Sequence, residues 1–249
     1  TDPSGALVIK KGCGLDTGKS GSKKIWTYSY NSPCDCYADN IREGERGFSV
    51  FDIVYPGGVI KDCTLGVPGW VNVENAVAAS AAALLYNIDK DEIRLALSNF
   101  AGVSRRFEIR VNSGKHVYID DYAHHPKELT AAISSIRGMF PGLKLTAVFQ
   151  PHLYTRTRDF AGEFARSLSA VDRLILLDIY PAREEPLPGV SSMIIFNSVR
   201  GPEKILTDKS RLMELLENLD TELLVTFGAG DIDRFAAPVA AMIKRKYNV

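Results

Sequence analysis

Beyond His116 the apolar positions of the chain alternate between two spacings. A short apolar stretch at 117–119 gives way to helical periodicity over 126–140, and the succession continues through 143–149, 158–168, 173–179, 191–199, 204–206, 209–219, 223–227 and 231–246. Repeated strand and helix units predict an α/β fold, a mostly parallel sheet with helices on both faces and right-handed crossovers. On such sheets ligands sit beyond the carboxyl ends of the strands.

The preceding part of the chain has a different pattern. Residues 6–10, 24–29, 47–55 and 59–64 have the character of short strands, and Pro56-Gly57-Gly58 between the last two favours a hairpin. An alanine-rich helix over about 71–87 and a second over 89–100 lead to Ser104-Arg105-Arg106-Phe107. The change of pattern puts a domain boundary near Glu108, dividing the chain into 1–107 and 108–249.

Composition narrows the function. With 249 residues, 45% hydrophobic and 24% charged, the chain has room for one large domain or two modest ones. Thirty Lys and Arg balance thirty Asp and Glu, so no global basic field recruits nucleic acid or a membrane surface, and local clusters must carry any phosphate recognition. No apolar run approaches the roughly 20 residues that span a bilayer, and the start lacks a secretory pattern. Cys13, Cys34, Cys36 and Cys63 have neither a disulfide framework nor zinc spacing, which predicts free thiols of a reducing cytoplasm rather than a metal site, and no metal ligands are expected among the candidate residues. A start at Thr1, without methionine, suggests a piece of something longer.

Two glycine-rich segments invite a nucleotide reading. In the 12–20 segment a Gly-Lys-Ser ending has the ingredients of a phosphate loop, but Gly14 leaves three residues before the Gly18-Lys19 pair and Gly12 leaves five, where the loop needs four. Residues 21–26 lead into a strand rather than a helix, so a solvated turn is expected. After the strand at 223–227, Gly228-Ala229-Gly230 lacks the third glycine of a dinucleotide fingerprint, and Asp231 and Asp233 would repel a pyrophosphate. This turn is read as strand-to-helix geometry with Asp231 as N-cap.

Past the ends of two predicted strands lie His124, His125 and His152, with Asp120 and Asp121 closing one strand and Gln150, Tyr154, Arg156 and Arg158 following the other. A lone histidine is ordinarily a satisfied side chain, and Asp120 could simply cap its turn. The clustering at the ligand edge of a parallel sheet points instead to a site, with carboxylates for a magnesium nucleotide, imidazoles for proton transfer and guanidiniums for carboxylate or phosphate. In the first domain Asn72 and Asn75 share one face of a helix's first turn, where they could read a purine edge or where Asn72 could act as the cap. Arg105 and Arg106 could reach phosphates or pair with acidic neighbours.

In this order, Pro68-Gly69 with Asn72 and Asn75, Arg105-Arg106-Phe107, Asp120-Asp121-Tyr122-Ala123-His124-His125-Pro126, Phe149-Gln150-Pro151-His152 with Tyr154-Thr155-Arg156-Thr157-Arg158-Asp159, Asp178-Ile179-Tyr180-Pro181-Ala182 and Gly228-Ala229-Gly230 resemble the Mur ligase family. The resemblance implies that residues 1–107 are the later part of a mixed α/β central ATPase domain without its phosphate loop, and 108–249 a Rossmann-like C-terminal domain. An N-terminal half with the UDP-sugar domain would be missing. It further implies ligation of L-alanine to UDP-N-acetylmuramate with ATP and Mg2+, through an acyl phosphate, in peptidoglycan synthesis, the fragment alone being inactive. By the same resemblance Asn72 and Asn75 contact adenine, Arg106 the phosphates and Asp121 the nucleotide. His124 and Arg156 serve alanine and the reaction, while Tyr122, His125, His152 and Arg158 line the substrate site. Leu153 stands where some members have arginine, and Val71 where a histidine is often found. Alternatives are a recycling ligase that attaches a whole peptide, a non-catalytic nucleotide-binding module, and a metal-dependent hydrolase using His124, His125, His152 and Asp121.

Overall fold

The computed structural model describes residues 5–15, 24–44 and 48–249. Gly47 at the start of one expected strand, and residues 16–20 of the glycine-rich loop, lie outside them. By contact the chain forms two units, Thr1–Gly102 and Val103–Val249. The division falls ahead of Glu108 because the Tyr122 N–H donates to the Arg105 carbonyl at 2.6 Å and the Phe107 N–H to the Asp121 carboxylate at 2.7 Å, which fastens 105–107 to the second unit.

The first unit is a five-stranded sheet in sequence order, β1 (Ala6–Lys10), β2 (Lys24–Ser29), β3 (Cys36–Glu43), β4 (Ser49–Tyr55) and β5 (Gly58–Thr64). The first three strands run parallel, and β3, β4 and β5 are antiparallel. The expected hairpin forms, with Tyr55 opposite Gly58. The periodicity of the sequence does not betray β3: it carries Asp39 and Asn40, residues that strands disfavour, Asn40 has φ 51, and its register with β4 shifts between Asp39 and Arg42. Two helices, α1 (Trp70–Leu85) and α2 (Lys90–Asn99), cover one face, where Val73, Val77, Ala81, Ile93 and Leu97 meet Phe51, Ile53, Ile60 and Cys63. The thiols are unpaired, and burial pushes Cys36 up to about 12 and Cys63 up to about 11.

In the second unit the sheet order is β10-β9-β8-β11-β7-β6. In chain order its elements are β6 (Glu108–Asn112), β7 (Val117–Asp121), α3 (Pro126–Met139), β8 (Leu145–Phe149), α4 (Tyr154–Leu168), β9 (Arg173–Leu176), α5 (Met193–Ser198), β10 (Glu203–Leu206), α6 (Lys209–Asn218), β11 (Leu223–Phe227), a 3-10 turn (Asp231–Phe235) and α7 (Ala236–Tyr247). All pairings are parallel except that of β6 with β7, so the mostly parallel α/β expectation holds and β6 is the strand it lacked.

β7, β8 and β11 are buried throughout, and their side chains alternate between two cores. Ile119, Ala147, Phe149, Val225 and Phe227 face α3, α4 and α5, while Tyr118, Val148 and Leu224 face α6 and α7. Because β11 lies between β7 and β8 with Phe227 level with Asp121 and Phe149, the loops after these three strands leave the sheet side by side. A crossover that skips a strand opens the crevice where such sheets bind ligands.

Candidate functional site

The loop after β7 is shaped by two neighbouring aspartates with different tasks. Asp120 is fully buried; it accepts from the Thr226 hydroxyl at 2.7 Å and pairs with the Arg105 Nε at 3.2 Å. Arg105 also donates through Nη2 to the Gly228 carbonyl at 2.6 Å, so one guanidinium joins the lead into β6, the end of β7 and the turn after β11. Asp120 is thus an ion-pair partner rather than a turn cap. Asp121 spends both oxygens on backbone donors, taking the Phe107 N–H and the Ala123 N–H at 2.7 Å each. Burial pushes its carboxyl up to about 6, against the pull of those donors and of Arg106. Asp121 therefore fixes the course of 122–124.

The side chains that this loop presents form a continuous aromatic run. Arg105 and Arg106 lie 5.3 and 5.1 Å from the Tyr122 ring centroid, Tyr122 meets His124 edge to face at 5.1 Å, His124 meets His152 at 5.9 Å, and His152 stacks on Tyr180 at 5.7 Å. His124 Nδ1 lies 3.0 Å from the Tyr122 carbonyl. A proton on Nδ1 satisfies that contact and leaves Nε2 as an acceptor, the tautomer the contact selects.

His152 and Arg156 flank the start of α4. His152 Nδ1 and Arg156 Nη1 are buried and have no hydrogen-bond partner among the described residues. Burial, followed by the positive charge of Arg156 and by His124, holds the His152 imidazole below its usual value and so favours its neutral form. Leaving such groups unpaired costs about 1–3 kcal/mol each, so a hydrogen-bonding partner at this edge would stabilise them.

Other predicted residues stand elsewhere. His125 is the N-cap of α3, accepting from the Lys127 N–H at 3.4 Å while Glu128 accepts from its own N–H, and its ring rests against Phe160 at 4.9 Å. It belongs to the packing beneath the loop. Arg158 is exposed and pairs with its neighbour Asp159 at 2.8 Å. Asp231 does not cap the following turn; Gly230 holds that position, and Asp231 accepts from Gln150 Nε2 at 2.8 Å and from Lys209 Nζ at 2.5 Å. Burial raises the Asp231 carboxyl, but these two donors outweigh it and the net shift is downward. In the first unit Asn72 is not a cap either, because α1 starts from Gly69 with φ 97 and Asn72 Nδ2 donates back to the Pro68 carbonyl at 2.6 Å. Asn75 is exposed on the same turn.

A residue outside every sequence motif also reaches this edge. Glu184, in the turn after β9, accepts from the Thr155 N–H at 3.0 Å and from the Thr155 hydroxyl. Its signal is weak in sequence, an acid in a proline-bordered turn, and only the strand-end position of Tyr180 hints at it. Among the described residues no group of three or more His, Cys, Asp and Glu is arranged to hold a metal ion.

Comparison with known proteins bears on this edge of the sheet. The UDP-N-acetylmuramate--L-alanine ligase of Phocaeicola vulgatus is 45% identical over 245 residues, covering 98% of this chain and 53% of its own length. The solved UDP-N-acetylmuramate-alanine ligase of Thermotoga maritima is similar with a TM-score of 0.70 at 25% identity, over 88% of this chain and 48% of that one. A MurF ligase from Thermotoga maritima solved in complex with ADP shares the fold, with a TM-score of 0.66 at 16% identity over 100% of this chain and 55% of its own. The chain spans about half the length of the curated relatives it matches. The motifs of this edge, from the Arg105 anchor to the turn clamped by Gln150, fall within the match of the Mur ligase glutamate ligase domain to residues 105–230, and the chain belongs to the Mur ligase family.

Proposed function

We propose that this chain is the later part of a longer cytoplasmic enzyme that joins L-alanine to UDP-N-acetylmuramate with ATP, a step of peptidoglycan precursor synthesis. The observation that carries the reading is the pair of buried, unpartnered atoms, His152 Nδ1 and Arg156 Nη1, beside His124 at the carboxyl edge of the sheet. A carboxylate suits that pair, because guanidinium bonds to carboxylates are charge-assisted and directional. The name of the 45%-identical relative supports alanine as its bearer.

A carboxylate is a poor acyl donor until one of its oxygens becomes part of a leaving group. In the proposed reaction the muramate carboxylate oxygen attacks the γ-phosphorus of ATP, ADP departs, and an acyl phosphate forms. The alanine amine then attacks the carbonyl carbon, the bond to the phosphate oxygen breaks, and inorganic phosphate leaves. Arg156 holds the alanine carboxylate so that the amine faces that carbon, and His124 Nε2 takes the proton the amine sheds. Arg106, resting on Tyr122, offers its charge to phosphate oxygens. Asn72 and Asn75 are assigned to adenine, and Asp121 acts on the nucleotide side through the loop it shapes. Magnesium arriving with the nucleotide would offset the charge of its phosphates.

The test is ADP release by the purified full-length protein carrying this sequence. Release that requires both UDP-N-acetylmuramate and L-alanine is expected. Preference for an alanine-initiated peptide over alanine would favour the peptide-recycling activity, and ATP binding with no turnover on either would overturn the reading. The 249-residue chain by itself is expected to give no turnover.

A further inference from the structure

The first turn of α4 has no cap of its own. Its N-cap residue is Leu153, at φ 71 with no acceptor in its side chain, and the turn contains no acid. A helix start leaves several N–H groups unpaired and carries a partial positive charge, here beside Arg156 and Arg158. Glu184 supplies what is lacking from 29 residues away, taking the Thr155 N–H and hydroxyl. The strap that delivers it is firm. The Leu153 N–H donates to the Tyr180 carbonyl at 2.9 Å, the Tyr180 N–H to the Pro151 carbonyl at 2.8 Å, and the Glu184 N–H closes its turn on the Pro181 carbonyl at 2.9 Å. The ring of Tyr180 lies on His152 along the same strap.

We propose that Glu184 is a positioning residue for the amino acid: it caps α4 from the opposite loop and, by its negative charge, balances the cationic end of the helix so that Arg156 and His152 are held free for a substrate carboxylate. The inference rests on the reading of that edge as the amino-acid site. A neutral residue of the same shape would keep the cap but lose the charge, which separates positioning from scaffolding. Glu184 also faces His152 electrostatically, favouring its protonated form against burial and Arg156.

Two measurements decide it. In the full-length protein, Glu184→Gln is expected to raise the KM for L-alanine about tenfold, the scale of one charge-assisted interaction, with kcat and the KM for ATP within about twofold. Glu184→Ala is expected to lose at least as much, and Thr155→Val, which removes one of the two donors, less. A Glu184→Gln variant with wild-type kinetics, beside a thermally weakened Glu184→Ala, makes Glu184 a cap only and overturns the proposal. In the full-length protein, NMR titration of the His152 imidazole is expected to move to lower pH in Glu184→Gln, and an unmoved titration overturns it. If the wild-type enzyme shows no alanine-dependent turnover, the site reading has failed, and the His152 titration alone judges whether the Glu184 charge acts on this edge.

Discussion

The rings of His124 and His152 meet edge to face with centroids 5.9 Å apart, although their loops leave different strands. The contact exists because β11 holds the ends of β7 and β8 level on its two sides, with Phe227 opposite Asp121 and Phe149. His124 is held from behind by the Tyr122 carbonyl at 3.0 Å and by Glu128 at 3.4 Å.

His124 and Arg156 are expected to serve the amino acid and not the nucleotide. In the full-length protein His124→Ala and Arg156→Ala should each lower kcat/KM for L-alanine by at least about a hundredfold, which is about 2.7 kcal/mol of transition-state stabilisation, and leave ATP affinity within about threefold. Steady-state kinetics with each substrate varied in turn make the comparison. Equal losses for both substrates would remove these residues from the amino-acid side.

Arg105 is expected to matter for stability more than any exposed arginine of this unit. Its partner Asp120 has 1% of its side chain exposed, so Arg105→Ala strands a buried carboxylate and frees the Gly228 carbonyl. Breaking such a pair from one side costs about 3–5 kcal/mol, whereas Arg158→Ala removes only a solvent-exposed contact and is expected to leave the unfolding midpoint nearly unchanged. Urea unfolding of the two variants tests the ranking. A cost below about 1 kcal/mol for Arg105→Ala would show that Asp120 finds other partners.

Much of the second unit was legible in sequence because its central strands are mostly apolar and buried throughout, and its helices keep one period. β6 was not, since Glu108–Asn112 carries Glu108, Arg110 and Asn112 at an edge and shifts register against β7 between Ile109 and Val111. The site was legible as a cluster but not in its roles. His125 sits beside His124 in sequence, yet the start of α3 turns its ring to Phe160. Asp120 and Asp121 look alike as a pair, yet a strand alternates its side chains, so one meets Arg105 and the other the loop amides. Glu184 was illegible because its meaning comes from Thr155, 29 residues away.

The turn after β11 is expected to reject even a methyl group at Gly230. A Cβ there would lie 2.4 Å from Gln150 Oε1 and 2.6 Å from the Tyr180 ring, although the backbone φ of −90 is open to any residue. Gln150 cannot yield cheaply, because its amide spans Asp231 and the Ile232 N–H. Gly230→Ala should therefore cost about 2 kcal/mol through overpacking. Thermal unfolding checks it, and the loss should shrink when Gln150→Ala is added to make room. A neutral Gly230→Ala would mean that the turn is looser than its contacts imply.

Asp121 makes stability depend on pH in a direction opposite to most carboxylates. Its folded value is raised from 3.8 to about 6, so the fold binds a proton that the unfolded chain has already lost. Below about pH 4 both states are protonated and the contribution is complete; it is lost as pH rises toward about 6, and above that the fold carries a buried charge. His152, whose value is lowered, acts with the opposite sign as pH falls below the usual histidine range. Comparing the wild type with Asp121→Asn cancels the His152 contribution, because both proteins contain it. The variant accepts only one of the two N–H groups and is expected to be the less stable at about pH 4. Its disadvantage should then narrow by up to about 3 kcal/mol by pH 7, from roughly two pKa units at about 1.36 kcal/mol each. Denaturant unfolding at intervals between about pH 4 and pH 7 measures this, and a gap that widens with pH would mean that the Phe107 and Ala123 donors outweigh burial at Asp121.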